Sequence, residues 1–157
     1  MNCCRIKTFV TVLVFANAFS LYACDGAPDL VMDLKNTSPP SFSFSGRSQA
    51  SNFKILDVPR PKPPRPLSAI NPFSHGGETI WQIASPSKLR GAQWPPVSYG
   101  VVPDGFAQSV PSSGSAPKLV EDKLYVASFS DGDANTEIWF EIRNGRAVNV
   151  SDKVLGP

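Results

Sequence analysis

Hydrophobic and polar positions alternate in short bursts along most of this chain, and the bursts are separated by turn residues. Residues 53–58, Phe-Lys-Ile-Leu-Asp-Val, form the first burst. Residues 79–84 follow with Ile80, Trp81 and Ile83, then 97–102 and 106–110, with Pro103-Asp104-Gly105 between them. The strongest bursts are 123–129 and 137–143, and Asn144-Gly145 links the second to 146–150. A period of two predicts strands, Asn-Gly predicts a two-residue hairpin, and Pro before Asp-Gly predicts a turn. Six or seven short strands at this spacing predict an immunoglobulin-like antiparallel β-sandwich over residues 51–152, followed by a short tail at 153–157.

Proline supports the all-β reading. The chain has 16 prolines, all after residue 23. Each one interrupts a helix interior or a central sheet ladder. Residues 24–50 are rich in Ser, Pro and Gly from position 37 to 46, so they read as a flexible tether, with only 29–34 able to pair as a short edge strand. The run Pro59 to Pro66 reads as polyproline II, either a stiff connection or an edge segment of the domain. A ligand for a proline-reading domain is the other use of such a run.

The N-terminus has a different pattern. Arg5 and Lys7 precede an uncharged, largely apolar stretch from residue 8 to 23, the layout of an export signal. At about 15 residues this stretch is short for a membrane-spanning helix, which needs roughly 20. Leu21-Tyr22-Ala23-Cys24 at its end resembles the bacterial lipobox. The resemblance implies cleavage before Cys24, acylation of its sulfur, and anchoring on the periplasmic face of the cell envelope. Asp25 next to it implies retention in the inner membrane. Ordinary signal cleavage after Ala18, at Ala16-Asn17-Ala18, is the alternative.

Removing residues 1–23 changes the charge balance. The chain has 15 Lys and Arg against 13 Asp and Glu; losing Arg5 and Lys7 leaves 13 against 13. A neutral domain without a basic stripe argues against nucleic acid as a partner. Cys3 and Cys4 lie in the signal and Cys24 is the lipidation candidate, so the sandwich is expected to be held without a disulfide.

Candidate chemistry is sparse. His75 is the sole histidine, and His75-Gly76-Gly77 has no Gly-x-Ser-x-Gly partner. One histidine does not make a zinc or iron site, so no cofactor is expected. Asp131, Asp133 and Asn135 alternate like the start of a calcium loop, but Thr136 and Ile142 stand where its glycine and bidentate glutamate belong. Glu137 and Glu141, four residues apart in a strand, lie roughly 13 Å apart on one face, too far for a glycosidase pair, and read as surface charge.

Aromatic residues give the better lead. With Leu124 and Val126 assigned to the core beside Phe140, Tyr125, Phe129 and Trp139 form an outward patch; cover of these rings by the N-terminal segment or the Pro-rich stretch is the alternative. Trp94, before Pro95-Pro96, is a second exposed candidate. The run Tyr99-Gly100-Val101-Val102-Pro103-Asp104-Gly105-Phe106, with Gln108, Pro111 and Trp81, resembles a group of uncharacterised bacterial lipoproteins and implies no activity. The expected function is a non-catalytic envelope lipoprotein that binds an envelope protein. A periplasmic carbohydrate-binding or cell-wall enzyme accessory module is the alternative.

Overall fold

A computed structural model describes residues 30–62, 65–130, 135–152 and 154–155. Two antiparallel sheets pack face to face, so the fold is the all-β sandwich that the alternation predicts. In chain order the strands are β1 (Val31–Lys35), β2 (Ser41–Ser45), β3 (Gln49–Val58), β4 (Arg65–Pro66), β5 (Glu78–Arg90), β6 (Val97–Ser98), β7 (Ala107–Val110), β8 (Leu124–Ser130), β9 (Asn135–Arg143), β10 (Arg146–Asn149) and β11 (Val154–Leu155). The larger sheet runs β10-β9-β8-β3-β5-β7 and the smaller β1-β2-β6, while β4 and β11 pair separately. Among the described residues no helix is long and apolar enough to cross a membrane.

The hairpin between β9 and β10 forms where Asn144-Gly145 predicts it. Asn144 has φ 53° and Gly145 φ 72°, the two left-handed conformations of a type I′ turn.

Strand register decides the packing. In β8 and β9, Tyr125 faces Phe140 and Val126 faces Trp139, and residues directly opposite share a face. Phe53, Ile55, Trp81, Tyr125, Phe129 and Phe140 therefore lie on one face, under Met32 and Phe42 of the small sheet. Leu56, Val58, Leu124, Val126 and Trp139 lie on the other, under Leu67, Ile70 and Val150. The larger sheet is buried on both sides.

This arrangement corrects the expected tether. Residues 30–50 belong to the domain: Met32 is 5% exposed, and Phe42 and Ala50 are fully buried. Composition hid a period of two. Ser41-Phe42-Ser43-Phe44-Ser45 puts both phenylalanines on one face, where Phe42 meets Phe53 at 5.0 Å and Phe44 meets Phe129 at 4.5 Å between ring centroids. Gly91, the first residue of the 3₁₀ turn Gly91–Gln93 after β5, permits the close approach of that turn to β2, because a Cβ there would collide with the Ser45 carbonyl oxygen.

Candidate functional site: an apolar groove beside a tyrosine-tied strap

The residues of the Tyr99–Phe106 run act together as a structural unit. Val101 N donates to Ser98 O at 3.0 Å, and Gly100 takes φ 81° in this turn, which brings the Tyr99 ring to 5.3 Å from Trp81. Phe106 N donates to Pro103 O, closing the second turn, and the Phe106 ring packs 4.8 Å from Trp94. The indole of Trp81 donates to Gln108 Oε1 at 3.0 Å. Gln108 Nε2 donates in turn to the carbonyls of Pro111 (2.8 Å) and Gly114 (3.0 Å). One buried indole thus fixes the start of the segment 111–120.

Two tyrosines fix the rest of this strap. The Tyr99 hydroxyl donates to Pro117 O at 2.7 Å, and the Tyr125 hydroxyl accepts from Val120 N at 2.9 Å. Burial pushes the Tyr99 pKa up to about 12, with the nearby Tyr125 as a second cause. Tyr125 is also raised by burial, which the Val120 amide partly offsets. Both phenols remain protonated at neutral pH and serve as ties. Beyond the strap, Glu121 Oε1 accepts from Gly145 N at 2.6 Å and Asp122 N donates to Ile142 O at 3.0 Å, fastening its end to the β9–β10 hairpin.

Between the strap, the Pro39-Pro40 turn and the hairpin lies a groove of about 840 Å³. Its lining is mainly apolar, with Pro39, Pro40, Ala116, Leu119, Val120 and Ile142, and its titratable side chains are Tyr99, Lys118 and Glu121. Val120 is 50% exposed. Groups so arranged suit apolar contact and main-chain hydrogen bonding. They do not set two acids, or a nucleophile and a base, against one another.

The structure places the sequence-predicted aromatics elsewhere. Trp139 is 4% exposed, Tyr125 2%, Phe129 0% and Trp94 4%, so none belongs to an outward patch. Tyr125 and Phe129 face the small sheet, while Trp139 faces the opposite side with Leu124 and Val126. Leu124 and Val126 are buried, but not beside Phe140: the expected assignment is wrong by one residue of register, which exchanges the two faces of β8 and leaves Phe140 and Trp139 on opposite faces as expected. The Trp94 indole donates to Ala50 O at 3.2 Å. A sugar platform built on these four rings has no exposed face.

Glu141 is also corrected. It is fully buried and paired, accepting from Arg60 at 2.9 Å and from Arg143 Nε at 2.8 Å, while Arg60 also donates to Asp122 O. Burying a carboxylate requires such compensation. Glu137 bonds Asn135 Nδ2 instead, and Asn135 Oδ1 accepts from Ser128. Asp131 and Asp133 lie outside the described residues, as do Cys24 and Asp25. His75 donates its backbone amide to Asn71 O.

The groove residues escaped the sequence reading because Pro111 to Val120 has the composition of a linker. The available signal was indirect: two buried phenols, Tyr99 and Tyr125, require partners for their hydroxyls. The chain matches no protein-family model, no curated protein and no solved structure.

Proposed function

We propose that this chain is a non-catalytic bacterial envelope lipoprotein whose sandwich docks a protein partner in the groove beside the strap. The lipobox-like Leu21-Tyr22-Ala23-Cys24 supports the anchor, with acylation at Cys24 and Asp25 favouring the periplasmic face of the inner membrane. The observation that carries the docking role is the groove itself. It is an apolar channel with half-exposed Val120, in a fold that buries Trp94, Tyr125, Phe129 and Trp139.

The experiment has two parts. Cys24→Ala is expected to shift the protein from the membrane pellet to an uncleaved or soluble form. Wild-type protein that washes off membranes with carbonate would sink the anchor. A photo-reactive residue at Val120 in native membranes is expected to capture one dominant envelope protein, with no capture from position Lys54 on the opposite side. Equal capture from both positions would sink the docking role.

A further inference from the structure

Resting on the proposed anchor at Cys24, we infer that one end of the sandwich is a seating surface for membrane lipid headgroups, and that the groove lies at the opposite end. The reach of the chain carries this. Leu30 is 8% exposed and packs beside Gly91, where an added Cβ would come within 3.2 Å of Leu30 Cδ1. The packed domain therefore begins six residues after Cys24, and six residues span at most about 20 Å. Strand direction says which end is held. Val31 pairs with Ser45 and Lys35 with Ser41, so the chain enters at the Ser45 end of the small sheet and runs away from it. The turn from β2 to β3 closes at that same end, where Gly91 N donates to Ser48 O at 3.1 Å and Ala92 N to Gly46 O at 3.3 Å.

From there β3 runs from Gln49 to Val58, about 30 Å along the sandwich. Val58 pairs with Leu124, Leu124 with Glu141, and β9 then turns into β10 at Asn144-Gly145, all at the far end. The Pro39-Pro40 turn between β1 and β2 lies there too, and Pro39, Pro40 and Gly145 line the groove. The groove thus stands about one strand length from the point of attachment. The near end has the chemistry of a headgroup contact. Arg47, Arg90, Ala92 and Gln93 are exposed there, whereas the exposed large hydrophobics among the described residues, Phe73, Val101 and Val120, belong to other segments. Guanidinium groups suit lipid phosphates, and an end without a large apolar side chain to insert rests on the headgroups. The acyl chains supply the affinity, and the short tether sets the orientation, with the groove turned away from the bilayer.

The test uses the lipidated chain purified from membranes and reconstituted in vesicles of phosphatidylethanolamine and phosphatidylglycerol, doped with a lipid carrying a nitroxide on its headgroup. With Cys24 acylated, a single added cysteine takes a fluorophore: Ala92→Cys or Arg47→Cys at the near end, Val120→Cys or Arg146→Cys at the far end. Quenching of at least two-fold is expected at both near positions and none at the far pair, about 30 Å further along the sandwich. A flexible linker of thirty Gly and Ser residues inserted after position 29 adds roughly 30 Å of reach. It should relieve the near-end quenching while the protein still floats with the vesicles. Equal quenching at both ends means that the sandwich lies on its side, and quenching at neither means that it stands clear of the membrane. Either result overturns the seat and leaves the anchor and the docking role in place. Near-end quenching that survives the linker overturns the short tether as its cause. Protein that does not float with the vesicles removes the anchor, and this inference with it.

Discussion

One face of the six-stranded sheet carries Phe53, Trp81, Phe129 and Phe140 and is roofed by β1, β2 and β6. The opposite face carries Leu56, Val126 and Trp139 and is roofed by a stretch whose regular structure is little more than β4 and a 3₁₀ turn at Leu67–Ala69. The first roof satisfies its own main chain through strand pairing, so it can deliver many side chains in register, and the aromatic rings interlock at 4.5–6.0 Å. The second roof relies on three anchors, Leu67, Ile70 and Val150, helped by Arg60 reaching the buried Glu141. Both exclude water from the sheet. They differ in how much independent structure supports them, and therefore in how readily each should open.

The largest effect expected is on the sheet itself. Phe140→Ala and Trp139→Ala should each lower unfolding stability by about 3–5 kcal/mol, because each ring is a core deletion on its own face. Chemical denaturation measures both, and a loss under about 1 kcal/mol at Trp139 would mean the second face is open. Leu67→Ala is expected to cost less, about 2–3 kcal/mol, since an irregular roof can settle into the space vacated. Hydrogen exchange in that variant should accelerate around Ile70 while β2 stays protected; equal acceleration in both would erase the distinction between the roofs.

Alkaline pH probes the strap. Unfolded, Tyr99 ionises near its ordinary value of 10; folded, it does so at about 12. Between those values the native state holds a proton that the unfolded chain has released, so stability falls as pH rises, by on the order of 2 kcal/mol. Tyr125, also raised, and Lys123, raised by its bond to Asp57, act in the same direction. In Tyr99→Phe the decline from pH 10 to 12 should be shallower, and an unchanged slope would remove Tyr99 as its cause. The smallest effect is expected at the groove: Val120→Lys should change stability by no more than about 0.5 kcal/mol, because the side chain is half exposed and only its backbone is tied.

Strands β3 and β5 to β10 were legible because their alternation is carried by large apolar residues bounded by Pro, Gly and Asn, whereas the two-residue pair β4 and β11 lies in segments read as polyproline II and as a tail. β2 was not legible, because serine separates Phe42 from Phe44 and the composition of residues 37–46 reads as solvated chain. Face assignment failed in β8 for a different reason. Leu124-Tyr125-Val126-Ala127-Ser128-Phe129 is buried on both sides, so alternation marks no outside, and a single step of register separates a core ring from a surface one. Tyr125 and Phe129 could be placed only once the partner Phe140 was known. The groove was the least legible feature, since it depends on hydroxyls from Tyr99 and Tyr125 meeting a segment that is close in space to both.

The central claim is that both faces of the six-stranded sheet are closed by the chain itself, and side-chain footprinting tests this most directly. Hydroxyl radicals applied to the full chain are expected to label Phe73, 43% exposed, and Val101, 57% exposed, while Trp94, Trp139 and Phe129 remain nearly unmodified despite the higher intrinsic reactivity of indole. Labelling of Trp139 at the rate of Phe73 or faster would contradict the account, because the second face of the sheet would then be open to solvent and an aromatic binding surface would exist after all.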